Sequence, residues 1–155
     1  VPSSDPVQRF TDILENIGRI EHFTQGLDAS SFAADDRVVF AVKYALMIVS
    51  EAAVKLGDTA TDLCPDIPWR EIRGLGNRLR HAYDTVDVAR IWLLIERDLP
   101  RLKAACEGAL RVLPQLDFIE KCANSPPGLD VKDCFLSEDL VGSFESEPEA
   151  SEVSE

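Results

Sequence analysis

Apolar residues in this chain recur three and four positions apart, and no stretch alternates apolar and polar residues between turn residues. That spacing builds helices that pack by one face, and it argues against any sheet. Phe10, Ile13, Leu14, Ile17 and Ile20 form the first stripe. Asp5-Pro6 opens it, with Asp as N-cap and Pro at a first helical position that has no amide bond to lose. Gly26 suits the left-handed residue that closes such a helix. Ser30-Ser31-Phe32 then reads as a short connection. A second helix is expected from Asp35-Asp36 to Gly57. Its apolar residues, among them Val38, Val39, Val42, Leu46, Ile48, Val49, Ala53 and Leu56, cover much more than one stripe. A helix of that kind is central in a bundle or faces a second protomer.

Residues 58–68 contain Pro65 and Pro68, neither suited to a helix interior, and are expected to form a loop. A third helix spans about Trp69 to Ala82. Asp87 caps a fourth, with Val88, Ile91, Leu94, Ile95, Leu99, Leu102, Cys106, Ala109 and Leu110 along one side. Pro100 lies inside that pattern and should kink it. Past Pro114 the periodicity fades. The expected architecture is therefore all-α, a four- to five-helix up-and-down bundle over residues 1–114. A disordered acidic tail over residues 115–155 follows, with Val131–Val141 as a segment that could fold onto a partner. The chain has 155 residues, enough for one domain with a real core. Its net charge of -12 is uneven: residues 116–155 hold 11 acidic and 2 basic residues, leaving the body at only -3.

Cys64, Cys106, Cys122 and Cys134 form no CxxC pair and have no histidine spaced to complete a zinc site. They are expected to be reduced thiols in a cytoplasmic protein, with no metal and no cofactor. The first twenty residues are amphipathic and charged, unlike a secretory leader. Lys43, Glu51 and Lys55 interrupt the most apolar stretch, which argues against a membrane span.

Against this acidic background, residues 67–84 stand apart. They bring Arg70, Arg73, Arg78, Arg80, Asn77, His81 and Tyr83 onto or beside one helix. Imidazole moves protons near neutral pH and guanidinium grips phosphate, so the combination points to chemistry on a phosphate. Each helical residue advances about 100°. On that wheel Arg73, Arg80, Asn77, Arg70 and His81 share one side, opposite Ile72, Leu75 and Leu79. Gly74 and Gly76 are unusual inside a helix and suggest a close approach by another backbone or a ligand.

The sequence resembles the HepT-like family of HEPN-domain proteins, helical ribonuclease toxins, over about residues 9–111. Asp12-Ile13-Leu14-Glu15-Asn16-Ile17 resembles the family's leading DILENI run, and Ser50-Glu51-Ala52-Ala53 its GEAA-like string. Pro65-Asp66-Ile67-Pro68-Trp69 is similar to its PDIPW loop. Asn77-Arg78-Leu79-Arg80-His81-Ala82-Tyr83 follows its RNxLxHxY signature from the Asn onward, and Asp98-Leu99-Pro100 its last landmark. The resemblance implies a metal-independent endoribonuclease acting as a homodimer, with an RNA-facing cleft shared between two motif helices. It implies attack by the ribose 2′-hydroxyl on the adjacent phosphate, with His81 as general acid/base and Asn77 orienting phosphate or imidazole. Tyr83 resembles the tyrosine to which a nucleotidyltransferase antitoxin adds AMP.

One position departs from the signature: Gly76 stands where the family carries arginine. The substitutes on the same face are Arg73, one turn earlier, and Arg80, one turn later, with Arg80 favoured because it adjoins His81. Arg73 and Arg70 are then candidates for phosphate contacts. The alternative is a catalytically inactive helical dimer that binds a nucleotidyltransferase or a nucleotide. Elsewhere His22 is expected on the surface, Glu51 in a bond across the bundle or dimer, and Trp69 as a core anchor. Trp92 fits its helix spacing poorly and suggests an interface. The acidic tail is expected to be a solubilising extension, with shielding of the cationic cleft as a weaker idea.

Overall fold

The Asp5 carboxylate accepts a hydrogen bond from the Val7 amide at 3.0 Å and starts α1 (Pro6–Thr24), as the Asp-Pro pair predicts. The computed structural model describes residues 5–81 and 86–123. Among these the remaining elements are α2 (Ala29–Ala34), α3 (Asp36–Leu56), α4 (Asp58–Leu63), α5 (Trp69–His81), α6 (Val88–Arg97) and α7 (Leu99–Ala123), and no strand occurs. The fold is the expected all-α bundle. Two six-residue helices, α2 and α4, add to the five longer ones. None of the described helices is long and apolar enough to cross a membrane.

Both short helices occupy segments expected to be connections, and each has a local cause. Asp28 and Ser31 form a reciprocal capping box: the Asp28 carboxylate accepts from the Ser31 amide at 2.8 Å and the Ser31 hydroxyl accepts from the Asp28 amide. That cap starts α2 and turns Phe32 into the core. Gly57, at φ +54°, ends α3 and immediately starts α4. Pro65 and Pro68 fall after α4, so the loop they enforce is shorter than expected.

α3 is the central helix, packed on α1 and α5 and touched by α2 and α4. Val42, Ala45, Leu46, Val49, Ala52 and Ala53 are buried along it. Its remaining face carries Phe40, Tyr44 and Val54, which are 69%, 66% and 57% exposed. Its burial on several elements is the central placement expected for this helix. Within the DILENI run Ile13 and Ile17 are fully buried. Buried Asn16 keeps both ends of its amide satisfied, donating to the Asp12 carbonyl at 2.8 Å and accepting from Arg19 at 3.2 Å.

Pro100 breaks the last pattern instead of kinking it. Asp98 ends α6, and α7 begins at Leu99 with Pro100 in its first turn, where a missing amide is tolerated. Leu99, Leu102, Cys106, Ala109 and Leu113 are buried along α7, while Lys103 meets Glu21 of α1 at 2.8 Å. α7 also runs through Pro114 to Ala123, past the point where the periodicity fades. Tertiary contacts group residues up to Gln115 as one unit, and Leu116–Ala123 belongs to a second. The expected disorder of the tail beyond Ala123, and the Val131–Val141 segment, lie outside the described residues.

Burial raises the Cys64 thiol and pushes Cys106 up to about 12, through desolvation first and then the neighbouring Cys64 and Glu107. A thiol whose folded value exceeds the usual 9.0 stabilises the fold below that pH and loses this contribution as pH rises toward about 12. Denaturation midpoints should therefore fall across that alkaline window. Peptide mapping after native labelling at pH 8 should find Cys64 and Cys106 unmodified.

Candidate functional site

The loop before α5 fixes where that helix starts. Trp69 is buried; its indole N–H donates to the Cys64 carbonyl at 2.9 Å, and its ring meets Phe10 edge-on at 6.5 Å. It is the core anchor the sequence suggests. Trp92 is half-buried and stacks on Phe32 at 5.2 Å, joining α6 to α2 within the bundle.

From Trp69, α5 crosses α3 at Gly76. Glycine is required here: a Cβ at position 76 would lie 2.5 Å from Ser50 Oγ and 2.8 Å from Ser50 Cβ. In place of that side chain, the Ser50 hydroxyl accepts from the Gly76 amide at 3.0 Å and donates to the Arg73 carbonyl at 2.9 Å. A close approach does occur at Gly76, but by the Ser50 side chain and not by the backbone or ligand expected from the glycines. At Gly74 only the Arg78 guanidinium comes near, at 3.9 Å.

The candidate side chains separate into two groups. Arg73 is half-buried and turned to α3, donating through Nε to the Ala53 carbonyl at 3.0 Å and through Nη2 to the Gly57 carbonyl. It satisfies carbonyls at the end of α3, where a cation also suits the helix dipole. Arg70, Asn77, Arg80 and His81 are exposed, and none has a hydrogen bond or salt bridge to another described residue. Asn77 and His81 are four apart and share a face at the end of α5. Arg80 leans toward α3: its Nη2 lies 3.9 Å from the position a Gly76 Cβ would take. The Glu51 carboxylate sits below its usual range because of Lys55, which bonds it at 3.0 Å, with smaller contributions from Arg80 and Arg9. Glu51 thus bonds within its own helix. His22 is exposed on α1, and Tyr83 lies outside the described residues.

The sequence reading missed a second cationic feature on the other flank of α5. A cavity of about 760 Å³ opens between α5 and the α6–α7 corner, with Leu46, Val49, Leu75 and Leu94 among its apolar lining. Arg78, Arg90, Arg97 and Arg101 surround it, beside Glu71, Asp87 and Asp98. The available signal was the seven- and four-residue spacing of Arg90, Arg97 and Arg101 across the Pro100 break. No group of three or more His, Cys, Asp or Glu residues among the described residues is placed to hold a metal.

An imidazole and an amide one turn apart, flanked by a guanidinium, can handle a phosphate by proton transfer and hydrogen bonding. Comparison with known proteins agrees with that chemistry. The family described as "Ribonuclease HepT-like" matches residues 13–109. The chain belongs to the HepT-like ribonuclease family. Among HepT-like relatives, "Probable ribonuclease HepT" of Thermococcus cleftensis is 40% identical over 96 residues, covering 62% of this chain and 87% of the relative. "Putative RNase MJ1380" of Methanocaldococcus jannaschii is 32% identical over 96 residues, covering 62% and 88%. No solved structure gives a significant match. The matched HepT-like region spans α1 to α7 and contains every described site candidate.

Arg73→Met should lower stability by about 1–3 kcal/mol in urea denaturation, because two carbonyls at the end of α3 lose a charged donor. Arg70→Met, which removes an exposed arginine without such bonds, should leave the midpoint within about 0.5 kcal/mol of the parent.

Proposed function

We propose that this protein is an endoribonuclease of the toxin–antitoxin type that cleaves RNA by 2′-hydroxyl attack. The arrangement that carries the reading is the exposed end of α5, where His81 and Asn77 share a face and Arg80 adjoins His81 in sequence. In the reaction the 2′-oxygen bonds to phosphorus as the bond to the 5′-oxygen breaks, leaving a cyclic phosphate and a 5′-hydroxyl. His81 takes the proton from the 2′-hydroxyl or delivers one to the departing oxygen. Asn77 donates its amide N–H groups to the phosphate, and Arg80 balances the charge that develops on it.

Arg80 is favoured over Arg73 on structural grounds. Arg73 already donates to two α3 carbonyls, whereas Arg80 is open and its guanidinium lies over Gly76. Arg70 remains the more accessible phosphate contact. The exposed α3 stripe of Phe40, Tyr44 and Val54 supports a homodimer. Glu51 belongs to the same stripe and feels the charge of Arg80, so pairing through it brings two Arg80–His81 edges into one cleft. Tyr83, two residues beyond His81, is the proposed acceptor of AMP from a nucleotidyltransferase antitoxin, a bulky anion that repels RNA. Gly76 favours a second reading, a non-catalytic dimer that binds the nucleotidyltransferase.

Incubation of the purified protein with RNA tests the choice. His81→Ala should reduce cleavage about 100-fold or more. Cleavage that survives this substitution unchanged removes the site, and its absence from the parent protein favours the second reading. Phe40→Asp with Tyr44→Asp should convert a dimer to a monomer by light scattering and abolish cleavage while leaving the helical circular dichroism intact.

A further inference from the structure

Ser50 and Gly76 share one small volume, and only one of them has room for a side chain. A Cβ at Gly76 would meet Ser50 at 2.5 and 2.8 Å, well inside contact distance. The Ser50 hydroxyl does more than fill the gap. It bonds the Gly76 amide and the Arg73 carbonyl, two groups of the α5 backbone about one and two turns before the exposed end of that helix. Ser50 is only 2% exposed, so water offers little competition for those bonds. Beside the same glycine lies the Arg80 guanidinium, 3.9 Å from the missing Cβ. The next residue of α3, Glu51, is within electrostatic reach of Arg80. The hydroxyl thus bonds the bare glycine backbone, and the guanidinium borders the space which that backbone leaves open.

We propose that Ser50 is a positioning residue: by pinning the α5 backbone at Gly76, its hydroxyl determines where Arg80 presents its guanidinium beside His81. The functional half of this proposal rests on the ribonuclease reading, and the structural half does not. Side chains that act on a transition state tolerate little displacement; about 1 Å can change a rate roughly 100-fold. A residue that touches no substrate can therefore govern the reaction through the register of one helix. Arg73 helps from the preceding turn, since its bonds to Ala53 and Gly57 hold α5 to α3 from the opposite direction.

The test uses Ser50→Ala, which removes the hydroxyl but keeps the space open. The folded variant should cleave RNA about tenfold more slowly in kcat, with KM within about twofold of the parent. In an Arg80→Ala background the same change should have no further effect, because the group it positions is gone. Equal losses in both backgrounds overturn the proposal. The Arg80 side-chain Nε–H resonance supplies a readout independent of catalysis: it should shift in Ser50→Ala, and an unmoved resonance overturns the proposal whatever the assay shows. Should no His81-dependent cleavage exist, the ribonuclease reading falls while that resonance still decides the positioning. Gly76→Ala should lower the melting temperature, and adding Ser50→Gly should restore it; failure of that rescue also overturns the shared-volume argument.

Discussion

The hydroxyl of Ser50, lodged against the backbone of α5 at Gly76, ties together the two helices that flank the candidate site. Helix pairs in water usually meet through apolar side chains, with axes roughly 8–10 Å apart. Here a serine approaches a glycine closely enough to bond its amide at 3.0 Å. Such a contact has direction as well as proximity. Together with buried Trp69 and Leu79 and the bonds of Arg73, it favours one rotation of α5 about its axis.

That rotation reconciles two demands on thirteen residues of helix. Trp69, Gly76 and Leu79 must be buried for α5 to stay on the bundle, while Asn77 and His81 must be open for any ligand to reach them. Arg73 serves the first demand although it carries a charge. By taking the carbonyls of Ala53 and Gly57 it lets α3 end beside α5 without leaving buried acceptors unpaired. A guanidinium that bridges two helices in this way is a structural element first and a ligand for anions second.

Much of the bundle was legible because its long helices carry ordinary signals. Asp5-Pro6, Asp35 and Asp87 each cap the helix expected of them, and the stripe from Phe10 to Ile20 is buried at each of its well-spaced positions except Leu14, which is half-buried. α2 and α4 escaped because six residues give no periodicity to read; only the Asp28–Ser31 box and the positive φ of Gly57 betray them. The end of α7 escaped for a different reason: after Pro114 its apolar residues are exposed, so burial imposes no pattern there. At the candidate site, the wheel put Arg73, Asn77, Arg80 and His81 on one side but could not separate Arg73 from Arg80. Both lie near the edge facing α3, and only the position of the α3 carbonyls decides which one is tied down. Gly76 was recognisable as a close approach, but its partner was not, since nothing in the spacing of Ser50 marks it as the residue opposite.

The arginines around the cavity between α5 and α6–α7 give the bundle an electrical character that its total charge conceals. α5 has guanidinium groups on both flanks, Arg70 and Arg80 on one and Arg78 with Arg90, Arg97 and Arg101 on the other. A polyanion drifting toward the end of this helix meets attraction over a wide arc of approach, whereas the molecule as a whole repels it. Capture is then a local contest between these cations and the acids beside them, Glu71, Asp87 and Asp98. Added salt screens charges farther apart than the Debye length, about 10 Å at 0.1 M, and screens closer pairs less. Encounter with a long anionic chain should consequently depend on ionic strength.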